Sequence, residues 1–113
     1  MPIRFLDRKA TPEQVLDMLD SLQTYIKFAV DVRRGVAAGG GEFHADCESV
    51  LLEYGCLQED IWGVDYIPDR NQFKFEAMIN LMPSRNNPSL LIKDPEIRRR
   101  AETVLRSLLP GAA

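Results

Sequence analysis

Ile26-Lys27-Phe28-Ala29-Val30-Asp31-Val32-Arg33-Arg34-Gly35-Val36-Ala37-Ala38, residues 26–38, is the stretch that decides the fold. Upstream of it Val15, Met18, Leu19, Leu22 and Ile26 recur at steps of three and four, one apolar stripe of a helix. Around Tyr25 the period drops to two: Ile26, Phe28, Val30 and Val32 share one face, Lys27, Ala29 and Asp31 the other. That alternation predicts a half-buried strand. Arg34-Gly35 then supplies a tight hairpin turn, and Val36 to Ala38 return as a short strand. A helix running into a hairpin makes the chain a mixture of helix and antiparallel sheet.

Working outward, Gly39-Gly40-Gly41 is expected to end the return strand as a hinge, a bulge or a ligand-facing loop. Asp46 is placed to cap a second helix, whose Cys47, Val50, Leu51 and Tyr54 follow helical spacing until Gly55 stops it. A helix this short needs a sheet to dock on. Trp62, Val64 and Tyr66 alternate, Pro68 to Asn71 breaks the run, and Phe73, Phe75, Ala77, Ile79 and Leu81 alternate again. This is a hairpin, with the later and longer strand expected to be central. At the front, Ile3 and Phe5 flank Arg4 as a short strand, and Thr11-Pro12-Glu13-Gln14 is a capping box with proline in the first turn. Pro83 to Ser89 reads as a polar loop, and Asp94-Pro95-Glu96 starts a last helix with the stripe Ile97, Ala101, Val104, Leu105, Leu108 and Leu109. The expected fold is α+β in one domain, 1–113: an antiparallel sheet of about five strands built from hairpins, with three helices packed mainly on one face.

Composition agrees with a folded domain, at 45% apolar and 27% charged residues. No run reaches the length of a membrane span or the apolar core of a signal peptide, so a cytoplasmic protein is expected, with no membrane partner. Cys47 and Cys56 are then reduced thiols; on one helix they would lie ~13 Å apart, too far for a disulfide. A net charge of −3 argues against a general nucleic-acid binder. The charge is unevenly spread: residues 1–83 carry 8 bases and 14 acids, net −6, and residues 84–113 carry 6 bases and 3 acids, net +3. Such a dipole suits self-association or an oppositely charged protein partner.

Between Gly35 and Asp69 there is no Lys or Arg, eight acids, and the sole histidine. Glu42, His44, Asp46 and Glu48 therefore form a candidate divalent-metal or ligand site, since alternate residues of an extended segment, or residues one helical turn apart, bring imidazole and carboxylate together. Helix capping by Asp46 and a hydrogen-bonded structural His44 account for the same residues without a ligand, and the deciding observation is whether His44 sits in a cleft facing Asp31, Asp60 or Asp65 or is packed under the sheet. Apart from that metal, no cofactor is expected. Cys47 could act as a nucleophile with His44 as base, but it starts an apolar stripe and is flanked by acids, which points to a core cysteine. Arg85, Arg98, Arg99 and Arg100 are candidate anion-binding residues. Paired with Glu96 and Glu102 at helical spacing they are equally a solvated helix face.

The runs Gly40-Gly41-Glu42-Phe43-His44-Ala45-Asp46, Gln58-Glu59-Asp60-Ile61-Trp62-Gly63 and Asp94-Pro95-Glu96-Ile97-Arg98 resemble a family of small uncharacterised bacterial proteins grouped as a domain of unknown function. The chain departs from that pattern at Cys56 and Met82. The resemblance implies one compact domain and brings no activity, cofactor or site residue. Three functions stay open. The first is a non-catalytic protein-interaction module that self-associates as a homo-oligomer. The second is a metal-dependent hydrolase-like enzyme using His44 and its neighbouring carboxylates, and the third an RNA-interacting protein working through the basic C-terminal helix.

Overall fold

The structure, a computed structural model, describes residues 3–76 and 94–111. In chain order they form β1 (Arg4–Leu6), α1 (Pro12–Leu19), β2 (Ile26–Asp31), β3 (Val36–Gly41), α2 (His44–Glu53), β4 (Ile61–Ile67), β5 (Gln72–Glu76) and α3 (Pro95–Leu108). All five strands belong to one antiparallel sheet in the order β1-β3-β2-β4-β5. The α+β architecture is the expected one. Among the described residues β5 lies at the sheet's edge and β4 inside it, the reverse of the central place expected for the later strand. The continuation expected toward Leu81 lies outside the described residues, as does the loop expected at Pro83 to Ser89.

Helices cover both faces. Met18 of α1 and Ala101, Leu105 and Leu108 of α3 pack on Ile26, Phe28, Val30, Trp62, Val64 and Tyr66, forming the larger core. On the other side Cys47 and Leu51 of α2 meet Ala29, Ala38, Cys56 and Ile61. The expectation of one main helical face holds for α1 and α3, with α2 as the exception. Its consequence is that β2 is not half-buried: Ala29 and Asp31 are 0% exposed, as are Phe28 and Val30. Each large side chain fully buried in this way contributes about 1.5–3 kcal/mol of transfer free energy.

The glycine run continues β3 instead of ending it. Phe28 pairs with Gly39 and Lys27 with Gly41, which leaves Gly40 as the extra residue of a β-bulge, with φ of +106°. The bulge shifts the side-chain alternation, so that a Cβ on Gly39 would point at the Phe28 ring and one on Gly41 at Cys47 and Asp46. Ser21 donates its hydroxyl to the Gly40 carbonyl at 2.8 Å and ties the chain after α1 to this kink. The hairpin between β2 and β3 also differs from the two-residue turn expected at Arg34-Gly35. Asp31 Oδ1 accepts from the backbone N–H groups of Arg33 and Arg34, both at 2.9 Å, and closes a longer loop.

Caps set the helix limits. Thr11 and Gln14 form the expected reciprocal capping box, with Pro12 in the first turn. α1 stops at Leu19, before the last two residues of its apparent stripe, and Ile26 belongs to β2. Asp46 is not the cap of α2: that place is taken by Phe43, which makes no side-chain cap bond, and Asp46 sits in the first turn. Gly55 ends α2 as expected, with φ of +85°. The amides of Gly55 and Cys56 bond to the carbonyls of Leu52 and Leu51 at 3.0 and 3.1 Å. Asp94 caps α3 by accepting from the Glu96 amide. No helix of the described residues is long and apolar enough to cross a membrane.

Candidate functional site

Strand register builds a charged row on the α2 side of the sheet. Lys27 of β2 pairs with Asp65 of β4, and Asp65 pairs in turn with Lys74 of β5. Directly paired residues project to the same face, so an acid is flanked by a lysine on each side. α2 packs on β2 and β3 and scarcely reaches β4, leaving this row beside the helix. His44, the first residue of α2, completes it: its Nε2 lies 2.8 Å from Asp65 Oδ1, with both side chains buried. A carboxylate only accepts, so Nε2 carries the proton. Lys27 Nζ is 3.8 Å from the same oxygen and 5.6 Å from the Tyr25 ring centroid. A buried carboxylate would be costly alone; here an imidazole and an ammonium offset its desolvation.

Of the candidate metal residues, only His44 is buried. Glu42 is exposed, while Asp46 and Glu48 are partly buried. Oε2 of Glu48 is shut away from solvent without a hydrogen-bond partner, and burial raises the carboxyl pKa while a bond to Gln58 opposes the rise. Among the described residues no three His, Cys, Asp or Glu side chains gather in a group that could hold a metal ion. Segment 42–46 does not stay extended, because α2 begins at His44, and the histidine ring turns to Asp65.

Cys47 is a core residue, as its place on the stripe implied. Its thiol donates to the Lys27 carbonyl at 3.4 Å, and burial pushes its pKa up to about 11. Cys56 is also a free, buried thiol, pushed up to about 11 first by burial and then by Asp31. Neither is poised as a thiolate near neutral pH. Arg98, Arg99 and Arg100 are exposed on α3; Arg99 and Arg100 reach Glu96 at 2.6 and 3.3 Å, and Arg106 reaches Glu102 at 2.8 Å. Arg85 lies outside the described residues.

Above the Lys27-Asp65-Lys74 row opens a cleft of about 650 Å³, walled by Thr24, Tyr25 and Ile67 and by Asp69 and Arg70 of the turn between β4 and β5. Sequence reasoning offered Asp65 as one of three partners for His44. It missed the cations, because Lys27, Arg70 and Lys74 all lie beyond the cation-free run that drew attention to the histidine. The signal that could have found them is the register of the two hairpins.

A family model for proteins of unknown function, DUF5674, matches residues 4–108. The chain belongs to this family. The match runs from the first residue of β1 to the last of α3, so the DUF5674 unit is the sheet and its three helices as described above. No curated protein and no solved structure matches the chain. DUF5674 membership brings no activity, and function has to be read from the cleft and the surface.

One more surface of the DUF5674 fold stands out. Phe43, Leu52, Tyr54 and Leu57 are 42% to 64% exposed and are four of the five large apolar side chains left exposed among the described residues. They fall on α2 and just before and after it. Tyr54 also stacks on Phe5, with ring centroids 3.8 Å apart. The exposed acids Glu42, Glu53 and Glu59 lie in the same stretch.

Proposed function

We propose that the chain is a non-catalytic protein-interaction module that self-associates head to tail, the α2 side of one copy meeting the outer face of α3 of the next. The observation that carries this reading is the concentration of exposed apolar side chains along and around α2, where a monomer would have little reason to leave them. The occupant follows from charge. Acids surround that apolar stretch, and the outer face of α3 presents Arg98, Arg99 and Arg100. Apolar contact then supplies affinity, while the charges supply orientation.

The two surfaces lie on opposite faces of the sheet, so two copies cannot satisfy both contacts at once around a two-fold axis. Head-to-tail contact leaves one patch free at each end, and growth depends on concentration. Sizing of the wild type at high micromolar concentration should show species larger than a monomer in low salt, shrinking as salt screens the charges. Leu52→Lys disables one side and Arg98→Glu with Arg99→Glu the other; each variant alone should be monomeric, and an equimolar mixture should form a dimer and stop. A strict monomer in low salt overturns the reading, and so does association that strengthens with salt.

A further inference from the structure

We infer that the cleft over Lys27, Asp65 and Lys74 binds a small organic phosphate that carries hydroxyl groups. Its volume of about 650 Å³ lies within the range of small-molecule sites, which run from about 300 to 1,000 Å³. Cations enter it from three separate parts of the fold: Lys27 from β2, Arg70 from the turn after β4, and Lys74 from β5. Only Lys27 is engaged, through Asp65. Among the described residues Arg70 and Lys74 form no ion pair, although exposed acids are plentiful on this chain.

The row explains why an anion would be held here despite an acid in the floor. Asp65 is already bonded to His44 and close to Lys27, so its charge is compensated from within. An incoming phosphate meets the remaining cations, with the planar guanidinium of Arg70 suited to two of its oxygens. Asp69 at the rim can accept from a hydroxyl, and the Thr24 and Tyr25 side chains can donate or accept. Those groups favour a phosphate ester of a polyol over inorganic phosphate. This site is separate from the surface proposed for self-association, so either can fail without the other.

The test is a titration of the full chain in low salt by NMR, with ribose 5-phosphate, inorganic phosphate and ribose as probes. Ribose 5-phosphate should saturate with shifts centred on Lys27, Arg70 and Lys74, inorganic phosphate should bind more weakly, and ribose should not bind. Arg70→Ala and Lys74→Ala, both at exposed positions, should each weaken ribose 5-phosphate by about tenfold, the loss of one charge-assisted contact. Leu52→Lys should leave it unchanged. Absence of saturation, binding that survives both cleft variants, or shifts confined to Arg98 to Arg100 would each overturn the site. Equal binding of inorganic phosphate would overturn the requirement for hydroxyls.

Discussion

The two faces of the one sheet are built on different principles. The face under α1 and α3 is dry: Phe28, Trp62 and Leu105 fill it with carbon, and the Trp62 and Tyr66 rings are buried within it. The face under α2 contains the three side chains that are both buried and polar or charged among the described residues, Asp31, His44 and Asp65, together with both cysteines. The first face supplies stability through area. The second spends part of its burial on polar contacts that stabilise little unless all of them are satisfied, and the cleft over Lys27, Asp65 and Lys74 opens on it. Chemistry can be placed on one side of a thin sheet because the other side holds it together.

The largest expected effect lies on the dry face. Phe28→Ala should cost about 3–5 kcal/mol in urea unfolding, because the ring is fully buried between β2 and the helices. A loss under about 1 kcal/mol would break the distinction between the faces. On the other face Asp65→Ala should cost about 2–4 kcal/mol, since His44 and Lys27 lose a common acceptor in a buried place, whereas Asp65→Asn keeps an acceptor and should cost less. Equal losses for the two Asp65 variants would mean that the carboxylate acts through its charge alone.

The thiols give a pH test of the same face. The folded-state pKa of Cys47, about 11, lies above its ordinary value of 9.0, so the folded protein holds that proton more tightly than the unfolded chain. This contribution is fully present below pH 9 and is lost as the pH rises toward 11, by at most about 3 kcal/mol. Cys47→Ala should lessen that slope in unfolding measured across the window, leaving the share that Cys56 contributes, and an unchanged slope would show that the Cys47 thiol is not shielded.

The smallest effect comes from two glycines of one strand. A Cβ on Gly39 would lie 2.4 Å from Phe28 Cε1, whereas one on Gly41 meets nothing closer than 3.1 Å. Gly39→Ala should therefore cost about 1–3 kcal/mol by overpacking, and Gly41→Ala less. Thermal unfolding of the pair decides it, and the reverse order would put the bulge at the wrong residue.

Local signals in the sequence were readable wherever they depend on near neighbours. The Thr11 and Asp94 caps, the Gly55 stop and the extended character of β2 and β4 all appear as read. The errors share a cause. Ile26 extends the helical stripe of α1 by spacing alone, but the chain has already turned, with Gln23 left-handed at φ of +71°. Gly39 to Gly41 look like an exit because glycine favours loops, yet β1 and β2 on either side supply a ladder that holds two of them in register. Asp46 resembles a cap by type, and α2 begins two residues earlier.

By itself the sequence determined the α+β class, the cap-defined starts of α1 and α3, the core identity of Cys47 and the isolation of His44 in an acidic run, because each follows from spacing or composition over a few residues. Only the tertiary structure decided that α2 crosses to the opposite face, that Gly40 is a bulge, that Asp65 is the partner of His44 and that Lys27, Arg70 and Lys74 gather around one cleft. Those outcomes depend on strand order and register, which are set by contacts between residues far apart in the chain and leave no periodic mark in any one segment.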